Sequence, residues 1–472
     1  MRITFVRPNL YDGRSSDAMQ PLTFAILASL TPPDVEIALH DERLAPVPLD
    51  EPTDLVAMTV ETYTARRAYQ LATAYRARGV PVVMGGYHPT FLPDEAALFT
   101  DSLVLGDAED LWPRVVEDAR RGRLRPAYRQ AEHPPLAGRP LPDRSIYAGK
   151  RYAPVSLIQY GRGCRFHCDF CSIHAFYGTS LRQRSVREVC ADIERAGHRL
   201  VFFVDDNLFV DVPRAKELFR AITPLGIHWT CQTSIDIARD RELVALMAKS
   251  GCASALFGFE SLDRRNLQQM RKGWNLKWQD YETSIRVMHD AGIMIYGTFV
   301  LGYDHDTVDT FDATVEFALG HKFFLANFNP LTPTPGASLY DRLAREGRLI
   351  YDRWWLDPRF RYGDATFHPR GMTADELTAG CWRARRSFNT ALATARRFFA
   401  PHNGLAGPRH ALQFLAANVI SRREIHRKQH ARLGGPERLD LPDDLPPIWS
   451  AVRRPAGAGA TGAPAMAAEP VT

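Results

Sequence analysis

The 472-residue chain has no apolar run approaching the twenty or so residues of a membrane span, which excludes an integral helical membrane protein. Its first residues, Met1-Arg-Ile-Thr-Phe-Val-Arg, read directly into a strand and lack the pattern of a secretory signal. Charge of one sign is scarce: 59 Lys and Arg against 54 Asp and Glu leave a net +5. That modest excess is spread over arginine-rich helices, so no nucleic-acid partner is expected. Cysteine is sparse and odd in number, at seven, which argues against a disulfide framework and fits a reducing cytoplasm. The paired Cys-x-x-Cys elements of zinc ribbons are missing, and no recognisable set of acid–base residues stands out. With 45% hydrophobic and 24% charged residues, the composition is that of a globular protein of two or three domains.

Against that background, three of the seven cysteines fall in one loop. Tyr160-Gly-Arg-Gly-Cys164-Arg-Phe-His-Cys168-Asp-Phe-Cys171 follows an apolar, strand-like stretch at 153–159. Thiolates at spacings of four and three turn round one face of a compact inorganic cluster, and Gly161 and Gly163 let the backbone approach it. A four-iron cluster held wholly by protein takes four cysteines, so three leave one iron open to a substrate or cofactor. Zinc would need a fourth ligand, for which His167 and His174 are the candidates. Cys190, Cys231, Cys252 and Cys381 are scattered singly and read as small core residues.

The rest of the chain supplies the context. Residues 3–6, 35–40, 55–60, 80–84 and 102–105 read as strands, with helices at 21–30 and 64–78. This α/β alternation predicts a doubly wound parallel sheet over 1–120, with a binding crevice at the carboxyl ends of its strands. The loops there are Arg7-Pro-Asn, Thr59-Val-Glu61-Thr62, Gly85-Gly86-Tyr-His88-Pro89 and Gly106-Asp-Ala-Glu109. A proline-rich stretch, 121–150, reads as a linker. Over 151–336 six strand–helix units follow, with strands at 153–159, 200–204, 228–233, 253–259, 292–301 and 323–328. The helices fall at 186–196, 214–222, 240–249, 278–289 and 308–319. Six units are too few to close an eight-stranded barrel, so a partial (β/α)6 barrel is expected, with its chemistry at the carboxyl ends of the strands. Asp205, Asp206, Gln232, Ser234 and Glu260 sit there, strand-end hydrogen bonding being their alternative use. His305-Asp306 reads as a helix N-cap. From 337 to 435 the chain turns helical, with apolar spacing of three and four at 339–345, 374–398 and 411–432. Trp354, Trp355, Phe360 and Tyr362 are expected to pack or to line a cavity, and the basic run 422–430 reads as a solvated helix face. Residues 436–472 read as an extended tail, rich in Ala, Gly and Pro from 453 onward.

Cys-x-x-x-Cys-x-Phe-Cys after a strand resembles the signature of the radical SAM enzymes. The resemblance implies a [4Fe-4S] cluster on Cys164, Cys168 and Cys171, S-adenosylmethionine on the fourth iron and a 5'-deoxyadenosyl radical from its cleavage. It also implies Phe170 beside the adenine, with Asp205, Gln232, Ser234 and Glu260 against S-adenosylmethionine. Asp54-Leu-Val-Ala-Met-Thr-Val60, then Val82-Val-Met-Gly-Gly-Tyr-His-Pro-Thr90, then Gly106-Asp-Ala-Glu109 is similar to the cobalamin-binding domain fused to many of these enzymes. That likeness implies cobalamin at Thr59, Glu61, Gly85, Gly86, His88 and Gly106. The Asp-x-His-x-x-Gly motif of histidine-on cobalamin proteins is absent, so no histidine is expected on cobalt. Together the resemblances imply a cobalamin-dependent C-methyltransferase acting on an unactivated carbon of a small or lipid-like metabolite, with an external flavodoxin- or ferredoxin-type electron donor. Relatives with the same motifs that cyclise, rearrange or oxidise are the enzymatic alternative, and a cobalamin or iron–sulfur sensor is the non-enzymatic one.

Overall fold

A computed structural model describes residues 1–276, 280–442, 445, 446 and 448. Two six-stranded parallel sheets follow one another along the chain. The first comprises β1 (Arg2–Arg7), β2 (Glu36–Asp41), β3 (Leu55–Thr59), β4 (Val82–Gly85), β5 (Ser102–Leu105) and β6 (Ala127–Arg129), in the order β2-β1-β3-β4-β5-β6. Its strands are near-continuous apolar runs because helices cover both faces. Ile3 and Phe5 of β1 pack with Phe24 and Trp112 on one side, while Val6 packs with Tyr69 and Tyr75 on the other. The chain leaves β1 toward β2 and returns on the opposite side as β3, so β1 and β3 flank a topological switch point, where a crevice opens.

The stretch read as a linker contributes more than a connection. Ala127–Arg129 pairs in parallel with Ser102–Leu105 as an edge strand, and Tyr128 is buried against the first core. Too short to show periodicity, it carried no strand signal.

The second sheet begins with β7 (Ser156–Ile158). A two-residue hairpin, β8 (Gly161–Arg162) with β9 (Arg182–Gln183), flanks the cysteine loop. β10 (Leu200–Phe203), β11 (His228–Thr233), β12 (Cys252–Glu260), β13 (Met294–Leu301) and β14 (Leu325–Pro330) complete the order β14-β13-β12-β11-β10-β7. This is the expected partial barrel, with β7 and β14 as open edges. Its helices Val186–Ala196, Val212–Ile222, Arg241–Lys249, Tyr281–Asp290 and Asp309–Gly320 match the predicted ones within a few residues. Residues 277–279, where the fourth was expected to begin, lie outside the described residues, as do 443, 444, 447 and 449–472 of the tail.

Two other expectations are corrected. Asp306 does not cap Asp309–Gly320, which has no side-chain cap. Instead its carboxylate accepts from the amides of Gly302 and Tyr303 (2.8 and 3.1 Å) and from Asn266 (2.7 Å), closing the turn after β13. The helix expected at 374–398 is two, Ala374–Phe388 and Ala391–Phe398, because Thr390 caps a new start by accepting from the Ala393 amide. Trp354, Trp355 and Phe360 pack against the first sheet's helices, tying the C-terminal region to the N-terminal end.

Candidate cofactor site

The cysteine loop is braced from the strand ends around it. Asp205, just beyond β10, accepts from the amides of Tyr160 (3.0 Å) and Gly161, and Asp206 accepts from the Gly163 amide (2.8 Å). Arg165 pairs with Asp236 at 2.8 Å, Phe166 stacks on Trp274 at 3.5 Å, and Asp169 accepts from the Tyr303 hydroxyl at 2.7 Å. Together these braces tie the loop to the segments after β10, β11, β12 and β13, which positions the three thiols without crosslinking them.

The thiols share one electrostatic neighbourhood. Burial pushes the Cys168 thiol up to about 12, with Cys171, Cys164 and Glu260 adding to the rise while the Lys272 ammonium opposes it. Burial likewise raises Cys164 and Cys171. Such thiols stay protonated until a metal cation drives the proton off, as ligating thiols require. Among the described residues no trio of His, Cys, Asp or Glu closes on a single ion, and His167 and His174 stack on each other at 4.3 Å. In an iron–sulfur cluster each cysteine binds a different iron, so three thiols that do not close on one ion are compatible with the cluster.

Beside the thiols, Glu260 ends β12 in the left-handed region (φ 62°) and pairs with Lys272 at 2.8 Å, both side chains buried. A non-glycine residue there costs about 1–3 kcal/mol and is held only by its surroundings. Gly258 makes the arrangement possible: a Cβ there would lie 2.1 Å from Glu260 Oε1 and 2.7 Å from Lys272 Nζ. Burial opposes the Lys272 charge, but Glu260 and Cys168 outweigh it and hold the ammonium above its ordinary range.

The other residues expected against S-adenosylmethionine divide. Phe170 packs on the barrel core and lines a cavity of about 290 Å³ with Tyr63, Asn329, Thr332, Tyr362 and Arg385. Ser234 donates to Asp236 at 2.5 Å, and Asn207 reaches both its hydroxyl (3.5 Å) and Cys164 Sγ (3.9 Å). Asp205 accepts from the loop amides, and burial raises its pKa to about 7 against those two hydrogen bonds. Gln232 is turned the same way, its amide donating to the Asp205 carbonyl at 2.9 Å.

At the carboxyl ends of β1, β3, β4 and β5 lies a second cavity, of about 260 Å³. Thr59, Glu61, Gly85, Gly86 and Gly106 line it, with Arg7, Tyr87, Phe176 and Tyr177. Its volume is at the small end for ligand pockets, so a corrinoid would fill it and extend beyond. His88 does not face it. The imidazole is fully buried between Thr62, Tyr69 and Glu95, and Glu95 in turn accepts from Arg353 (2.8 Å) and Trp355 (2.9 Å). His88 therefore belongs to the joint with the C-terminal region and not to the crevice.

Sequence reasoning missed the residue that joins the two halves. Arg162, two positions before Cys164, lines the crevice and pairs with Asp107 (2.8 Å) and Glu109 (2.5 Å) from the loop after β5. Arg182 (2.7 Å) and His133 (3.1 Å) also reach Asp107. Burial works against the Asp107 charge, but His133 and the two arginines outweigh it and hold the carboxyl well below its usual range. The available signal was an arginine between two glycines beside the cysteines, read only for its glycines.

The Radical SAM superfamily model matches residues 158–318. Bacteriochlorophyllide d C-12(1)-methyltransferase of Chlorobaculum tepidum is 30% identical over 395 residues, covering 81% of this chain and 85% of that one. The C-8(2)-methyltransferase of the same organism is 30% identical over 363 residues, 73% of this chain and 80% of that one. The structure of the radical S-adenosylmethionine methyltransferase TsrM from Kitasatospora setae, with cobalamin and a [4Fe-4S] cluster bound, superposes with a TM-score of 0.59 at 17% identity, over 73% of this chain and 75% of that one. That likeness is one of fold. With the cysteine loop, the six-stranded open barrel and relatives matched over most of their length, the chain belongs to the radical SAM superfamily and is one of its enzymes.

Proposed function

We propose that the protein is a cobalamin-dependent radical SAM C-methyltransferase, methylating an unactivated carbon of a small or lipid-like metabolite in the cytoplasm, with a flavodoxin- or ferredoxin-type donor supplying electrons. One observation carries this reading: Arg162 is at once part of the cysteine loop and a wall of the switch-point crevice, so the two cofactor positions share a boundary. The cluster with S-adenosylmethionine would supply the radical and the corrinoid the methyl group, leaving the protein to bind, orient and exclude water. Cys164, Cys168 and Cys171 would hold the cluster. Glu260 and Phe170 would hold S-adenosylmethionine, with Lys272 fixing the glutamate.

For the corrinoid, Thr59, Glu61, Gly85, Gly86 and Gly106 supply the crevice floor and Arg162 its far wall. The cavity behind Phe170 is the proposed substrate chamber. On its wall Tyr63 and Tyr362 pack against each other, ring centres 5.6 Å apart, beside the polar groups of Asn329, Thr332 and Arg385. Arg385 orients the chamber's polar end by donating to the Phe328 carbonyl (2.8 Å), Gln429 (2.9 Å) and Asn329 (3.0 Å).

The test is made on anaerobic protein with reconstituted cluster, S-adenosylmethionine, a reductant and candidate metabolites, with and without cobalamin. Methyl transfer requires that 5'-deoxyadenosine and S-adenosylhomocysteine accumulate in step and only with cobalamin. Deoxyadenosine without S-adenosylhomocysteine would replace this reading with radical chemistry lacking methylation.

A further inference from the structure

Two helices of the C-terminal region are turned inside out. A surface helix ordinarily directs its apolar residues to the core. Here Ala391–Phe398 buries Arg397 alone, and Pro408–Lys428 buries Asn418 and Glu424 with one apolar residue, Phe414. The inward polar groups satisfy one another. Arg397 donates to the carbonyls of Phe323 and Phe324 (3.0 and 2.8 Å) and to Asn418 Oδ1 (3.1 Å), with its guanidinium 3.8 Å from the Phe388 ring centre.

The apolar residues face out. Leu392, Ala395 and Phe399 are exposed at helical spacing on the first helix, and Leu412, Leu415, Ala416 and Val419 on the second. Leu412 is 71% exposed, Val419 66%, Phe399 65% and Leu392 61%. An apolar groove of about 370 Å³ runs between the two outer faces. Its charged lining residue is Arg422, and the sequence of this region is rich in arginine. Residues 377–423 contain Arg383, Arg385, Arg386, Arg396, Arg397, Arg409, Arg422 and Arg423 and no Asp or Glu. Arg396, Arg422 and Arg423 are exposed and have no ion-pair partner among the described residues. The basic run at 422–430 thus divides: Arg427 and Lys428 bind the N-terminal end through the Arg14 carbonyl, Ser16 and Asp17, leaving Arg422 and Arg423 beside the apolar stripe.

We propose that this face docks on an anionic lipid bilayer, with Leu392, Phe399, Leu412, Leu415 and Val419 entering the boundary between headgroups and acyl chains and the arginines meeting lipid phosphates. Outward apolar stripes rimmed by arginine are the pattern of helices lying in a membrane interface, and an anionic surface attracts each such charge. A second copy of the chain fits less well, because a twofold contact would set this arginine rim against itself with no acid to neutralise it. No helix among the described residues is long and apolar enough to cross a membrane, so the contact is peripheral. The proposal is independent of which reaction the enzyme performs.

The test is co-sedimentation of the 472-residue chain with vesicles of phosphatidylcholine alone or of phosphatidylcholine with phosphatidylglycerol. The chain is expected to sediment with the anionic vesicles and only weakly with the neutral ones. Arg396→Gln/Arg422→Gln/Arg423→Gln should weaken that binding by about 100-fold, and Phe399→Ser/Leu412→Ser/Val419→Ser should remove most of it. Unchanged circular dichroism spectra establish that both variants fold. Absence of binding, or binding that neither variant alters, overturns the proposal. So does a concentration-dependent dimer that the serine variant dissolves while vesicles bind nothing, which would assign the face to a second copy.

Discussion

The two parallel sheets end in opposite ways. The first finishes its strands in glycine and small loops, Gly85, Gly86 and Gly106, which leave a crevice at the switch point. The second finishes in carboxylates, Asp205, Asp206 and Glu260, each already engaged by a loop amide or an ammonium. One end is cleared to admit a ligand, and the other is braced to hold a loop on which a ligand is built. Parallel strands supply the same edge in both cases, and the residues at or just beyond it decide the use.

Removing what the braced end holds has the largest expected effect. Cys164→Ala/Cys168→Ala/Cys171→Ala should lose essentially all bound iron, measured colorimetrically after reconstitution, while the first sheet and any corrinoid binding survive. Loss of both together would dissolve the distinction between the ends. Next comes Lys272→Met, which strands the buried Glu260 charge and should cost about 3–5 kcal/mol in urea unfolding. Double substitution with Glu260→Gln should recover part of that loss.

The cleared end is tested more gently. A Cβ on Gly85 would meet Val104 at 3.4 Å, ordinary contact, whereas one on Gly86 (φ 108°) would lie 2.7 Å from the Val60 carbonyl. Gly86→Ala should therefore destabilise the domain by about 1–3 kcal/mol. Gly85→Ala should leave thermal stability unchanged and weaken cobalamin retention by about tenfold, because its methyl group projects into the crevice. Equal effects on folding would mean the glycines serve packing alone.

A pH-dependent test concerns Asp205. A buried carboxyl with its pKa raised to about 7 from the ordinary 3.8 binds its proton more tightly folded than unfolded. Its contribution is complete below the unfolded value and is lost as pH rises from about 4 through about 7. Asp205→Asn should flatten that part of the stability-against-pH curve of the cluster-free protein, measured by urea melts, and an unchanged slope would remove Asp205 as its source.

Much of this was legible in the residues. Strand positions, the open barrel and the cysteine loop follow from periodicity and spacing, because those reflect backbone geometry directly. Side-chain direction was less so. Asp205, Gln232 and His88 stand where ligand contacts were expected, yet each is consumed by a neighbouring loop or helix, and a strand-end polar residue looks the same whichever way it turns. In the last two C-terminal helices, Ala391–Phe398 and Pro408–Lys428, the period of three and four was correct and the burial opposite. Periodicity tells which residues share a face and is silent on whether that face meets the core. The ion pair of Arg162 with Asp107 and Glu109 spans more than fifty positions and has no local signature.

The central claim is that one chain holds a cluster and a corrinoid on the two sides of Arg162. The direct measurement is metal content by mass spectrometry after anaerobic reconstitution with iron, sulfide and hydroxocobalamin, followed by gel filtration. About four irons and about one cobalt per chain are expected, with cobalt retained when the three cysteines are replaced. Iron without cobalt would contradict the account, leaving the first sheet's crevice with another occupant.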